Sequence, residues 1–181
     1  MLSIDLIGSM IIGGLVMLMI LGFTFWYMNT SRDMILDDSQ REMVENIGEI
    51  IKTDINRMGF GVDSTTSKVL SVTSNSITFN ADLDNIGYVN RVKYFVRNAK
   101  NSNPHMVRQV TYQDKTREFS VPIKSFRIIA FDSLSNETTT AAAVQALSVE
   151  MHVAEAFFQH VDYSKKAGSG YYYKYFVPGN L

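Results

Sequence analysis

From Leu6 to Ser31 the chain carries no charged residue, and Leu, Ile, Met, Val and Phe fill most positions. About 20 consecutive apolar residues at 1.5 Å each cross a bilayer, and Leu6–Met28 meets that length. A cleaved secretory signal would have a basic start, a shorter apolar run and a small-residue cleavage site. Here no Lys or Arg precedes the run, and "FTFWY" at 23–27 suits the aromatic belt at a membrane face. The pattern predicts a retained membrane helix. Gly8, Gly13, Gly14 and Gly22 interrupt it. Such glycines let apolar helices approach closely, or they loosen the helix, since each costs roughly 1 kcal/mol relative to Ala. The two uses are compatible.

Without a linker or a proline the pattern turns amphipathic. Val44, Ile47, Ile51, Ile55 and Met58 recur every three or four residues, while Asp37, Asp38, Arg41, Glu42, Glu45, Glu49 and Lys52 occupy other faces. One helix of on the order of 80 Å is expected, stopped by Gly59 and Gly61. After it the period changes to two. Residues 76–81, 91–98, 106–112, 124–131, 146–154 and 171–177 read as strands, separated by turn material such as "DLDNIG" and "SLSNETTT". In "ALSVEMHVA", Leu147, Val149, Met151 and Val153 face one way and Ser148, Glu150 and His152 the other, which marks a sheet with one buried face. The expected class is α+β: a long N-terminal helix, with a membrane half and an amphipathic half, packed on a C-terminal antiparallel β-sheet. Its parts are a hydrophobic helix over 1–31, its amphipathic continuation over 32–60 and a β-rich domain over 61–181.

Composition narrows the chemistry. The chain has 181 residues, a net charge of −1 and no cysteine, so disulfides, thiol catalysis and zinc–thiolate sites are excluded. There is no basic run of the kind nucleic-acid binders show, so no nucleic-acid partner is expected. No G-x-S-x-G, H-E-x-x-H or phosphate-binding loop occurs. The expectation is not an enzyme, and no cofactor. Asp82 and Asp84 in "DLDNIG" echo the start of a calcium loop, but the later ligands are missing and a turn explains Asp, Asn and Gly as well. No metal site is expected beyond these two weak candidates. His105, His152 and His160 show no ligand spacing and are taken as surface residues. The tyrosines of "GYYYKYF" are good strand formers and are expected in packing, with a subunit interface as the other use.

One acid stands apart: Asp5, at the head of the apolar run, where a carboxylate is expensive. "MLSIDL" resembles the start of mature type IV pilins and of type II secretion pseudopilins, with Ile4, Asp5 and Leu6 in register and Asp in place of the usual Glu. "TDINRMGFGV", "ITFNADLDNIG", "VNRVKYFV", "VRQVTY" and "IKSFRIIAFDS" are similar to large minor pilins and J-type pseudopilins. The resemblance implies a pilin-like fold and a structural subunit of an extracellular filament, assembled by packing of the hydrophobic helices. It implies residence in the cytoplasmic membrane with the globular domain outside, then the cell surface. Implied partners are copies of itself or other pilins, the inner-membrane assembly machinery and, before assembly, lipid. Asp5 would pair with the terminal amine of a neighbour's Met1, often methylated in the family, and so set the register. Gly13, Gly14 and Gly22 would loosen or pack the helix. Major subunit, minor pilin and secretion pseudopilin stay open, as does a single-span anchored binding domain that never polymerises. A basic leader ending in Gly directly before Met1 would favour the pilin side.

Overall fold

The computed structural model describes residues 2–98, 104–113, 115–153 and 170–181, and only the backbone of residues 2, 3, 5, 36, 37 and 40. Two compact units divide the chain, Met1–Ser39 and Gln40–Leu181. Helix α1, Leu2–Asn56, runs without a break, as a stretch free of proline allows.

In the first unit α1 is a bare helix. Twenty large apolar side chains from Ile4 to Ile35 are exposed. The hydroxyls of Ser9, Thr24 and Thr30 fold back onto the carbonyls of Leu6, Ile20 and Trp26 at 3.1, 2.8 and 3.0 Å. Each of these three hydroxyls thus finds its acceptor within the helix, an arrangement compatible with an apolar surrounding.

In the second unit, the predicted stripe of α1 is the core. Val44, Ile47, Ile51, Ile55 and Met58 are all buried. They lie in one cluster with Phe79, Tyr94, Met106, Ile123, Leu147 and Met151 from the sheet. That sheet is an antiparallel meander of seven strands in chain order. They are β1 (Val69–Thr73), β2 (Ser76–Ala81), β3 (Asn90–Arg97), β4 (His105–Tyr112), β5 (Lys115–Phe131), β6 (Ala146–Val153) and β7 (Tyr171–Phe176). The sheet curls: the N–H of Ile128 on β5 donates to Ser74 in the β1–β2 turn at 2.8 Å.

Two elements escape the pattern of the sequence, for identifiable reasons. In β1 a register shift falls between Val69 and Ser71, so the buried Val69 and Val72 stand three apart and the period of two is lost. The first half of β5, Lys115–Ser120, is exposed on both faces and shows no alternation at all. Strand β5 changes partners midway. It pairs with β4 through Pro122 and with β6 from Ile123, with a bulge between Ile123 and Ser125. A proline, which cannot donate to a ladder, sits where one ladder ends.

Gly59 and Gly61 stop the helix with φ of 77° and 68°. The Gly59 N–H then donates to Asn80 and the Asp82 N–H to Phe60, each at 2.9 Å, which ties the helix end to the end of β2.

Strand β7 divides its aromatics by parity. Phe176 is buried, and the Tyr172 hydroxyl donates to the Gly48 carbonyl at 3.2 Å. Tyr171, Tyr173 and Tyr175 are exposed, so only part of this run packs inward. Partial burial, with a smaller contribution from the Glu49 charge, raises the Tyr172 hydroxyl to about 12. Burial, with Asp54 adding to it, raises Tyr94 as well. Both groups are neutral in the fold and ionise more readily when unfolded. Stability from this source is complete below pH 10 and is lost as pH rises toward 12. Tyr172→Phe is expected to flatten that alkaline decline while leaving the thermal midpoint at pH 7 nearly unchanged. Circular dichroism melts at pH 7 and pH 11 check it.

Candidate functional site

The largest unsatisfied surface of the described chain is the α1 segment Leu6–Ile35, a candidate membrane span of 30 residues with none of its most apolar window buried. Phe23 and Trp26 lie 5.8 Å apart near its polar end, followed by Tyr27 and then by Arg32 and Asp33. At Gly8, Gly13, Gly14 and Gly22 the helix is continuous, and a methyl group added at any of them meets nothing within 4 Å. These positions form shallow, open places on the apolar surface where another helix or a lipid chain can come close. Met1 and the Asp5 side chain, expected to set the assembly register, lie outside the described residues.

The second constellation closes the helix onto the sheet. Asp54 falls on the buried face of α1, between Ile51 and Ile55, and is 3% exposed. The Arg108 guanidinium on β4 grips it with two hydrogen bonds, Nε to Oδ2 at 2.6 Å and Nη2 to Oδ1 at 2.9 Å. Tyr94 on β3 donates its hydroxyl to the same Oδ2 at 2.5 Å. Tyr94 and Arg108 stand directly opposite each other in the β3–β4 ladder, so two neighbouring strands present one three-donor cradle to the helix. Bonding to Asp54 raises the Arg108 pKa further, and the guanidinium stays charged. One turn later Arg57 donates to the carbonyl of Leu83, which anchors the β2–β3 loop to the helix end. Together Asp54, Arg57 and Gly59 explain "TDINRMG": a buried anchor, a loop clamp and a left-handed stop. Periodicity alone does not mark Asp54 as buried, but its place on the apolar stripe is a signal. An acid on an apolar stripe needs a partner elsewhere in the fold.

The remaining candidates resolve locally. The Asp82 carboxylate accepts from the backbone N–H of Ile86 at 3.3 Å and of Gly87 at 2.8 Å, so it organises the turn. Asp84 does not join it, and no group of three His or carboxylate side chains fit for a metal ion occurs among the described residues. His152 lies on the outer face, 3.8 Å from Glu150 and edge-on to the Tyr171 ring at 4.6 Å. His105 opens β4, and His160 lies outside the described residues.

None of the family models, curated proteins or solved structures compared with the chain matches it. The fold itself defines the class: an α+β protein with a long apolar N-terminal helix and a curled antiparallel sheet.

Proposed function

We propose that this chain is a pilin-like structural subunit of an extracellular filament of the type IV pilus kind. One observation carries the proposal: α1 is bare and apolar over Leu6–Ile35, yet its later turns are the core of the sheet domain. A helix of that kind has two apolar environments open to it, a bilayer and a bundle of its own copies. The subunit waits in the cytoplasmic membrane with the sheet domain outside. Assembly exchanges lipid for neighbouring helices, so the same side chains stay dry in both states. Sheet domains then coat the filament. Minor pilin or secretion pseudopilin is the finer assignment favoured by the motifs around "TDINRMG" and "DLDNIG".

In this scheme Asp5 pairs with the terminal amine of a neighbour's Met1. A buried carboxylate costs about 2.5–3.5 kcal/mol at a membrane centre, less near the edge, and a cation offsets it in one register only. Asp5→Ala is expected to leave membrane insertion intact and to lower incorporation into sheared filaments more than tenfold, read by quantitative mass spectrometry. Unchanged incorporation removes the register role. Scarcity of the unmodified chain in the filament fraction, with full recovery in the membrane fraction, points away from the main filament subunit and to a minor pilin, a secretion pseudopilin or an anchored domain that does not polymerise. The glycines supply the second check. Helical density broken between Gly13 and Gly22 in assembled filaments is expected, and a continuous helix there assigns them to packing alone.

A further inference from the structure

Beyond the end of α1, the inner face of the sheet continues without helix cover. There the β2–β3 loop and the β4–β5 hairpin enclose a cleft of about 340 Å³. That is the size of a small-molecule site, which runs from about 300 to 1,000 Å³. Its lining mixes polar and apolar side chains. Asn90 is 3% exposed, and its side chain makes no hydrogen bond among the described residues. A buried amide without a partner costs about 1–3 kcal/mol, which is tolerated where a ligand or water completes it. Arg108 also lines the cleft. Its Nε and Nη2 hold Asp54, while Nη1 has no partner among the described residues. Lys115 and Arg117 line the β5 side, opposite Tyr112 and Val110, and neither makes an ion pair among the described residues. Tyr112 is held edge-on against Tyr88 at 5.7 Å, so its hydroxyl is a fixed group at the rim.

Charge and shape select the ligand. The Arg108 charge is already balanced by Asp54. Among the described lining residues, what remains is Lys115 and Arg117 against Asp84, a surplus of one positive charge. Leu83, Ile86 and Val110 supply an apolar wall. We propose that this cleft binds a small organic carboxylate. The carboxylate accepts from Arg117, Lys115 and the Asn90 amide, and the apolar body lies on Leu83, Ile86 and Val110. A phosphate monoester, with nearly two charges, would leave one unbalanced. The site does not depend on whether the chain assembles into filaments.

The test is a titration of the full chain in neutral detergent micelles, with backbone amide shifts as the readout. The probes are benzoate and its uncharged counterpart benzyl alcohol. Benzoate is expected to saturate shifts at Asn90, Arg108 and Lys115 with a Kd of about 1 mM, the range for a ligand of this size. Benzyl alcohol is expected not to saturate. Lys115→Gln with Arg117→Gln, both exposed positions, is expected to weaken benzoate at least tenfold with an unchanged thermal midpoint. Asn90→Leu is expected to abolish saturation. Equal binding of benzyl alcohol, or undiminished binding by the double variant, overturns the proposal. So does saturation by a triglutamate peptide where benzoate gives none, which would assign the cleft to an acidic segment of a partner protein.

Discussion

Removal of residues 1–39 is expected to convert a protein that needs detergent into one that stays in the supernatant without it, with its cooperative melt intact. The size of the effect follows from surface. Twenty large apolar side chains between Ile4 and Ile35 are exposed. At about 1.5–3 kcal/mol per side chain removed from water, they carry on the order of 30 kcal/mol. That exceeds the stability of an ordinary domain, about 5–15 kcal/mol, so the segment is expected to take up an apolar environment. The buried core of the second unit takes from α1 only residues beyond that segment, Val44, Ile47, Ile51 and Ile55. Ultracentrifugation and a circular dichroism melt of the truncated chain check both halves. A truncated chain that precipitates, or melts without a transition, would show that the apolar segment also supports the sheet.

Asp54→Ala is the most damaging single substitution expected among the polar residues, at about 3–5 kcal/mol. Asp54 accepts both arms of Arg108 and the hydroxyl of Tyr94. Its loss leaves a guanidinium with 23% of its side chain exposed and a buried phenol without an acceptor. Tyr94→Phe removes one donor only and should cost about 1.5–2 kcal/mol, since Asp54 keeps its fork. Replacing both charges, Asp54→Leu with Arg108→Met, is expected to recover most of the loss, because no charge is then left buried alone. Urea unfolding of the three variants orders them. An Asp54→Ala cost below that of Tyr94→Phe would mean that Arg108 swings out to solvent and that the cradle contributes little.

The same Asp54 shows where the pattern of residues stops being informative. Spacing of three and four marks Val44, Ile47, Ile51, Ile55 and Met58 as one buried face, and the fold keeps all five there. The same spacing puts Asp54 on that face, yet its partners, Tyr94 and Arg108, lie 40 and 54 residues away. Nothing local distinguishes Arg108 from the exposed Arg91 or Arg97. Only the β3–β4 register brings one arginine opposite a tyrosine and under the helix. The three carboxylate-facing groups of the cleft are scattered in the same way, at 90, 115 and 117, on two strands that are not neighbours in the sheet.

What the sequence by itself determined is periodic or compositional. It marked the apolar helix, the amphipathic stripe, the left-handed stop at Gly59 and Gly61, and strands whose two faces differ in polarity. These follow from interactions within a few residues and from the choice between oil and water, which each segment makes alone. Tertiary structure decided β1, where a bulge breaks the period, and the first half of β5, whose faces are both wet. It also decided which tyrosines of β7 turn outward, how Asp54 is neutralised, and where the sheet outruns the helix to leave a cleft. Those outcomes depend on strand register and on where one element ends above another, because pairing energies are shared between residues far apart in the chain.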